Sequence, residues 1–239
     1  MRIRAGTSGF SFAEWKGSFY PADLPAKDML SFFGTRLSTV EINNTFYRLP
    51  KRDVLEGWAS QVPAGFRFAI KASRRITHFT RLKEESYSPL EYLLGNLEAL
   101  GERLGTVLFQ LPPNLKKDLP RLAAFLQRLP PGRRFAFEFR HESWLGDDVY
   151  DLLRARDAAL CCADVAEEGA PLVPTASWGY LRLRRVAYED DSLREWVDRI
   201  AAQPWTEADI YFKHEDEATG PRLAARFLEL VGQSGARSG

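Results

Sequence analysis

Hydrophobic and polar residues alternate along several short stretches of the chain, most clearly in "RRFAFEFRHESW", Arg133 to Trp144. A period of two residues predicts a β-strand. Three phenylalanines share one face, whereas the other face ends in two charged residues, Glu138 and Arg140. This pattern is typical of a strand with helices on one side and a barrel interior on the other. Its charged residues lie at the C-terminal end, directly before His141.

Strand and helix patterns alternate along the whole chain. The eight predicted strands lie in "IRAGTSG", "STVEINNTFYRLP", "FRFAIKASR", "GTVLFQLPP", "RRFAFEFRH", "AALCCADV", "WGYLRLRR" and "ADIYFKHE". A helical pattern follows each strand except the sixth, where "EEGAPLVPTAS" is irregular. The order predicts an α/β fold, a single (β/α)8 TIM barrel over residues 1–232 that is irregular after strand six, with a disordered tail at 233–239. A doubly wound open sheet is the alternative.

The composition is that of a globular protein. The chain has 239 residues, 45% hydrophobic and 27% charged, and a net charge of +1, which gives no overall attraction to nucleic acid or membrane. No apolar run approaches the roughly 20 residues of a membrane span, and no signal-peptide pattern opens the chain. Neighbours on a strand face opposite ways, so Cys161 and Cys162 make a poor disulfide, which favours a cytoplasmic location.

Most of the predicted strands carry a charged or amide side chain near the C-terminal end. These residues are Glu41, Asn43, Lys71, Gln110, Glu138, Arg140, Asp164, Arg182 and Lys213. In a closed parallel barrel they would meet at one mouth, where catalytic groups lie. Because a buried charge costs several kcal/mol unless it is paired, the mixed signs predict a polar network. This network is either a ligand site or a set of salt bridges that only stabilises the barrel.

The loop after strand three concentrates positive charge. "KASRRITHFTRL" contains Lys71, Arg74, Arg75, His78 and Arg81, which offer several donors to a phosphate, sulfate or carboxylate. A solvated charged loop is the alternative interpretation.

The three histidines, His78, His141 and His214, lie at or just beyond predicted strand ends, where they could act as acid or base near neutral pH. No HxH or HExxH spacing is present, so the sequence predicts no metal ligands and no cofactor. A divalent metal held by residues from distant strands is the alternative.

Aromatic residues concentrate in the early loops, and most are expected to pack a corner of the core. Trp15 or Tyr47 could instead stack on a sugar or a base.

Five ordered blocks resemble one known family. "GTSGFSFAEWKGSFYP", "VEINNTFYRLP", "FAIKASRRITH", "LFQLPPNL" and "FEFRHESW" are similar to the signature blocks of the YecE-like family, domain of unknown function 72. The resemblance runs from Ile3 to about Val231. It implies a single TIM-barrel domain and no settled activity. The polar or aromatic positions that match the motifs are Glu41, Asn43, Lys71, His78, Gln110, Glu138, Arg140, His141 and Trp144.

The C-terminal third departs from that pattern. Where the family has an "RLHG"-like end to strand seven, this chain has "RLRR", Arg182 to Arg185. Where the family has an "FNN"-like end to strand eight, this chain has "FKHE", Phe212 to Glu215. Both substitutions fall at the predicted mouth, so the ligand of this chain can differ from that of other members.

These observations predict a protein that binds a small anionic or phosphorylated molecule at the barrel mouth. If the protein is an enzyme, it is expected to be an isomerase, a lyase or a hydrolase. The predicted catalytic residues are Glu138, Glu41 and His141. The predicted binding residues are Asn43, Lys71, Arg74, Arg75, His78, Gln110, Arg140, Trp144, Arg182 and Lys213.

Two alternatives stay open. One is a nucleic-acid-binding or phosphodiester-processing protein, in which basic side chains follow a phosphate backbone. Its arginines would be Arg74, Arg75, Arg81, Arg184 and Arg185. The other is a metabolite sensor that binds its ligand at the mouth without turning it over. No membrane partner is predicted.

Overall fold

Eight parallel strands form a closed barrel in sequence order, and the last strand pairs with the first. The structure is a computed structural model that describes residues 1–48, 50–165, 171–213 and 216–237. The strands are β1 (Arg2–Ser8), β2 (Thr39–Ile42), β3 (Arg67–Lys71), β4 (Leu104–Gln110), β5 (Arg134–Glu138), β6 (Ala159–Asp164), β7 (Trp178–Leu183) and β8 (Glu207–Phe212). The predicted TIM barrel is confirmed, and the open sheet is excluded because β8 closes onto β1.

In the described part of the chain, an α-helix follows every strand except β6. The helices are α1 (Met29–Arg36), α2 (Arg52–Ser60), α3 (Tyr87–Leu97), α4 (Leu119–Gln127), α5 (Asp147–Arg154), α6 (Asp190–Ala201) and α7 (Thr219–Arg237). Between β6 and β7, residues 171–177 are irregular, as the sequence predicts, and residues 166–170 lie outside the described ranges. Within those ranges, no helix has the length and apolar character needed to cross a bilayer.

The last helix continues further than the sequence predicts. A disordered tail was expected from residue 233, but α7 extends to Arg237. The Ser234 hydroxyl donates to the carbonyl of Leu230, four residues earlier, which is the spacing of one helical turn. Residues 238 and 239 lie outside the described residues, so their disorder stays a prediction.

The outward faces of the strands pack against the helices through aromatic rings. Phe109 of β4 stacks on Phe137 of β5 with 5.2 Å between ring centroids, and meets Phe125 of α4 edge-on at 5.1 Å. Phe137 in turn stacks on Phe139 at 6.0 Å. The aromatic face predicted for β5 therefore forms the layer between the sheet and the helices.

A second, separate core fills the interior of the barrel. Its buried members are Ala69, Leu108, Ala136, Ala159, Cys161, Trp178, Tyr180 and Tyr211. Cys161 belongs to this interior core and Cys162 to the outer one, and they form no disulfide with each other, so the adjacent cysteines face opposite sides as predicted. Polar side chains lie above and below this layer, which places the polar sites at the two ends of the barrel.

The contact between β1 and β2 leaves no room for a side chain at Gly6. A Cβ atom there would lie 2.0 Å from the carbonyl oxygen of Thr39. Because a backbone atom is the obstacle, we expect Gly6→Ala to lower the free energy of unfolding by about 2 kcal/mol or more, measured by urea denaturation.

Gly57, in α2, provides the matched control. A Cβ at Gly57 has no neighbour within 4 Å, and alanine is favoured over glycine in helices by roughly 0.5–1 kcal/mol. Gly57→Ala should therefore leave stability unchanged or raise it. Equal stabilities for the two variants would contradict the close approach of β1 to β2.

Candidate functional site

Two buried carboxylates at the C-terminal end of the barrel are joined by one arginine. Arg182 of β7 donates from Nη2 to Oε1 of Glu41 on β2, at 2.8 Å. Its Nη1 donates to Oε2 of Glu138 on β5, at 2.6 Å. The exposed fractions of the three residues are 0% for Glu41, 3% for Glu138 and 2% for Arg182. Inward-facing positions of three different strands thus meet at one level of the barrel.

The remaining acceptor positions of Glu41 are filled by its neighbours. The Ser8 hydroxyl donates to Oε1 at 2.8 Å, and Asn43 Nδ2 donates to the same oxygen at 3.1 Å. The Tyr180 hydroxyl donates to Oε2 at 2.6 Å. Ser8 and Tyr180 are absent from the predicted site, although both lie on inward positions of their strands.

Glu138 is equally well bonded. Gln110 Nε2 lies 2.8 Å from each of its two carboxylate oxygens, and Arg140 Nε donates to Oε1 at 3.0 Å. With the bond from Arg182, every side of this carboxylate faces a donor. The two glutamates therefore serve as anchors that orient donor groups on three other strands, β1, β4 and β7, and just beyond the ends of their own strands.

Both glutamates are ionised at neutral pH. Burial by itself would raise the pKa of Glu138, but Arg182, Arg140 and the hydrogen bonds from Gln110 outweigh it and lower the pKa to about 2. Burial also opposes ionisation of Glu41, whose pKa is nevertheless lowered by Arg182, Tyr180 and Ser8. Carboxylates whose pKa is lowered from the ordinary range hold no proton to donate near pH 7, so the pair is better suited to positioning than to acid catalysis.

A pocket of about 440 Å³ opens above the two glutamates. Its cationic lining residues are Lys71, Arg140, Arg182 and Arg184. Its polar and aromatic lining residues include Ser8, Ser11, Asn43, Asn44, Gln110, Phe10, Phe12, Phe46 and Tyr47. Within the described part of the chain, no carboxylate lines this pocket. The surface offered to a ligand is therefore positive on its polar side and aromatic on the other.

Lys71 and His78 both pack against Phe46 at the edge of this pocket. Lys71 Nζ lies 4.2 Å from the centre of the Phe46 ring, and the His78 ring meets the same ring edge-on at 4.8 Å. Burial and the nearby Arg182 lower the pKa of Lys71 to about 8. Burial and the charge of Lys71 lower the pKa of His78. Of the charged groups at this end of the barrel, Lys71 therefore has a pKa close to neutral, whereas that of Glu138 is about 2.

Arg184 lines the pocket without a partner for its charge. Its half-buried side chain forms no ion pair or hydrogen bond with any residue that the structure describes, and burial together with Arg182 lowers its pKa. From the sequence, Arg184 is predicted as a binding residue only in the nucleic-acid alternative. The signal for its position is its spacing, because it follows the end of β7 and lies two residues after the inward-facing Arg182.

Some predicted residues lie near the pocket but do not line it. Arg74 and Arg75 are exposed on the loop after β3, and Arg74 lies between the exposed rings of Tyr47 and Phe79, 5.4 and 5.3 Å from their centres.

Lys213 directly follows β8 and is half-buried, and its backbone N–H donates to the carbonyl of Leu183. His214 lies outside the described residues.

His141 and Trp144 have structural contacts instead. His141 Nδ1 accepts the backbone N–H of Ser143 and does not line the pocket. Trp144 is 1% exposed and stacks on Phe139 at 4.8 Å. Its Nε1 donates to the carbonyl of Leu115 at 2.7 Å, so its only polar atom is already bonded. Trp15, suggested as a stacking residue, is 0% exposed and belongs to the core.

Asp164 does not join the mouth, and this part of the expected polar ring is wrong. Its side chain accepts hydrogen bonds from Arg185 at 2.9 Å and from the Tyr188 hydroxyl at 2.7 Å, on the outer side of the sheet. The physical reason is the strand period, because Cys161 of β6 faces the interior and Asp164 is an odd number of residues away.

No group of three or more histidine, cysteine, aspartate or glutamate side chains is arranged to hold a metal ion in the described ranges.

The low pKa of Glu138 predicts how the stability of the fold depends on pH. A carboxylate with a lowered folded-state pKa stabilises the fold above its ordinary pKa of 4.5, and this stabilisation is lost as the pH falls towards about 2. The contribution is about 3 kcal/mol. We expect Glu138→Gln to be less stable than wild type at pH 7 and the difference to narrow steadily below pH 4.5, measured by urea unfolding.

Glu142→Gln, which removes an exposed carboxylate nearby, is the control and should follow the wild-type curve. A stability difference between Glu138→Gln and wild type that stays constant down to pH 2.5 would contradict the buried ion-paired state.

Comparisons with known proteins agree with this architecture. The chain is 22% identical to a DUF72 family protein of Thermotoga maritima, with a TM-score of 0.76 over 97% of this chain and 100% of that one. It is 16% identical to a DUF72 family protein of Enterococcus faecalis, with a TM-score of 0.80 over 96% and 95% of the two chains. At sequence identities this low, the structural similarity shows that the fold is shared and nothing more.

The UPF0759 protein YecE of Escherichia coli is 33% identical over 113 residues, which cover 47% of this chain and 41% of that relative. The match thus spans about two fifths of the length of the curated relative. The model of the protein family of unknown function DUF72 matches residues 4–238. Because that match covers nearly the whole sequence, the chain belongs to the DUF72 family.

Proposed function

We propose that the chain binds a small anionic molecule, carrying a phosphate or carboxylate group, in the pocket at the C-terminal mouth of the barrel. The observation that carries this proposal is the charge of the pocket, which has four cationic lining residues and, in the described part of the chain, no acidic one. Lys71 and Arg184 have no carboxylate partner among the described residues, so their charge is available to a ligand.

The other lining groups define the rest of the ligand. The amide oxygens of Asn43 and Gln110 can accept from hydroxyl groups, because the two amide nitrogens already donate to the glutamates. Phe10 and Phe46 offer apolar surface. A volume of about 440 Å³ suits a molecule of the size of a sugar phosphate or a nucleotide.

If the ligand is turned over, Lys71 and His78 are the groups suited to move protons. The best general acids and bases have pKa values near the working pH, and Lys71, which lines the pocket, has a pKa lowered to about 8. His78 packs against the lining residue Phe46, and its lowered pKa favours the neutral imidazole, which can accept a proton. Glu41 and Glu138, the carboxylates predicted to be catalytic, then have a positioning role for Arg182 and the amides. A sensor would use the same pocket without proton transfer.

The pKa of Lys71 gives the proposal a pH signature. Its amine is charged below about pH 8 and neutral above it. We expect the affinity for a small phosphate monoester, measured by isothermal titration calorimetry, to fall by up to about tenfold between pH 7 and pH 9. Lys71→Arg, which stays charged, should bind without that fall.

Arg184→Gln should weaken binding by about tenfold at every pH, because one charge-assisted contact is lost. Lys16→Gln removes an exposed charge elsewhere and is the control. Binding that is unaffected by both Lys71→Gln and Arg184→Gln would refute the site.

A second candidate is single-stranded nucleic acid, and one observation favours it. Tyr47 and Phe79 are 69% and 66% exposed, and the guanidinium of Arg74 lies between their rings. Exposed rings beside arginine are a common platform for stacked bases.

One variant, Phe79→Ala, distinguishes the two candidate functions. If nucleic acid is the ligand, Phe79→Ala should weaken the binding of a short single-stranded oligonucleotide by about tenfold, and affinity should fall steeply with salt. If the pocket takes a small molecule, Phe79→Ala should leave binding of the phosphate monoester unchanged.

A further inference from the structure

A second charged cavity, of about 350 Å³, opens at the N-terminal end of the barrel, opposite the mouth. Its arginines are Arg2, Arg4, Arg67, Arg133 and Arg134, and its acids are Glu207 and Asp209. Three glycines, Gly101, Gly105 and Gly132, also line it, so parts of its wall are bare backbone. This end of a TIM barrel ordinarily serves stability, which makes an open basic cavity there unusual.

Two of the five arginines are already neutralised. Arg4 Nη1 lies 2.7 Å from Glu207 and 3.2 Å from Asp209, and Arg134 Nη1 lies 3.1 Å from Glu207. Arg4 and Asp209 are 7% and 2% exposed, so this part of the network is internal. The two carboxylates account for the charges of Arg4 and Arg134.

The other three arginines keep their charge. Arg2 has no ion pair with any residue in the described ranges, and the nearest carboxylate to Arg133 is Glu98, at 4.0 Å. Arg67 uses Nη1 to donate to the carbonyls of Ala64 and Phe66, both at 3.0 Å, and forms no ion pair within those same ranges. The cavity thus has an excess of positive charge on its open side.

That excess is unfavourable without a counter-charge. Burial and then repulsion by Arg4 lower the pKa of Arg67; Glu102 and Glu207 act in the opposite direction without restoring it, and Arg2 adds a smaller repulsion. An anion placed among Arg2, Arg67 and Arg133 would remove this repulsion. Guanidinium groups match the oxygens of phosphate in pairs, so a phosphate-type anion is the best complement.

The two ends of the barrel are separate. The interior core, which includes Trp178, Tyr180 and Tyr211, fills the barrel between the N-terminal cavity and the mouth pocket. A molecule in the N-terminal cavity therefore cannot touch Lys71 or Arg184.

We infer that the N-terminal cavity is a second binding site, for a small polyanion with two or more adjacent phosphate groups, of which inorganic pyrophosphate is the simplest. The cavity lining holds five arginines and two carboxylates, and this excess of positive charge favours a ligand with more than one negative charge over a simple carboxylate. The volume of about 350 Å³ accommodates a diphosphate with part of an attached group.

The test uses the full chain carrying Lys71→Gln and Arg184→Gln, so that the mouth contributes little. Calorimetry should show one pyrophosphate site in this background, at least tenfold tighter than inorganic phosphate. Adding Arg2→Gln and Arg133→Gln should weaken pyrophosphate by at least tenfold, because two of the three free charges are lost. These two arginines form no close ion pair, so their loss should leave the thermal midpoint of unfolding unchanged.

The matched control in the same background is Lys27→Gln with Arg52→Gln, which removes two exposed charges elsewhere. Unchanged affinity in this control supports the site. An equal loss in the control and the cavity variant would show diffuse attraction and overturn the proposal, as would the absence of pyrophosphate binding in the starting background.

The wild-type chain separates this proposal from that for the mouth. If binding of a phosphate monoester depends on Lys71 and pyrophosphate does not bind, the mouth proposal stands and the cavity proposal is refuted. The reverse result would refute only the mouth.

Discussion

The polar end of this barrel depends on the two hydrogen bonds by which Arg182 joins Glu41 to Glu138. Each of the three groups is almost fully buried, and an unpaired charge at that depth would cost several kcal/mol. The arginine therefore requires both glutamates, and they require it. Because Glu41, Glu138 and Arg182 belong to β2, β5 and β7, their pairing also fixes how distant strands meet across the mouth.

The strand period arranges the interior of the barrel in levels. On β7, the inward positions run from Trp178 through Tyr180 to Arg182, which places an aromatic ring in the middle and a charge at the top. On β8, Asp209 lies below Tyr211 in the same way. The packed middle level keeps water and ligands out of the centre, so each charged end forms its own site.

The periodicity of the sequence was sufficient to predict the eight strands, the barrel and the inward positions of Glu41, Gln110, Glu138 and Arg182. It could not predict which groups would satisfy one another. Whether a carboxylate is free or saturated depends on cross-barrel distances, such as 2.6 Å between Tyr180 and Glu41, that no local pattern encodes. The end of a strand does not by itself make a position inward, and Asp164, three residues after the inward-facing Cys161, lies on the outer side of the sheet.

The net charge of the pocket depends on which of its charged side chains are paired with each other. Glu41 and Glu138 carry two negative charges, and Arg182 and Arg140, which bond to them, carry two positive ones. This part is neutral overall. Lys71 and Arg184 lie beyond it on the pocket wall, without a carboxylate partner among the described residues. A ligand in the pocket therefore meets positive charge that the protein has not compensated, and the burial that lowers the pKa of Lys71 makes an anion the favoured complement.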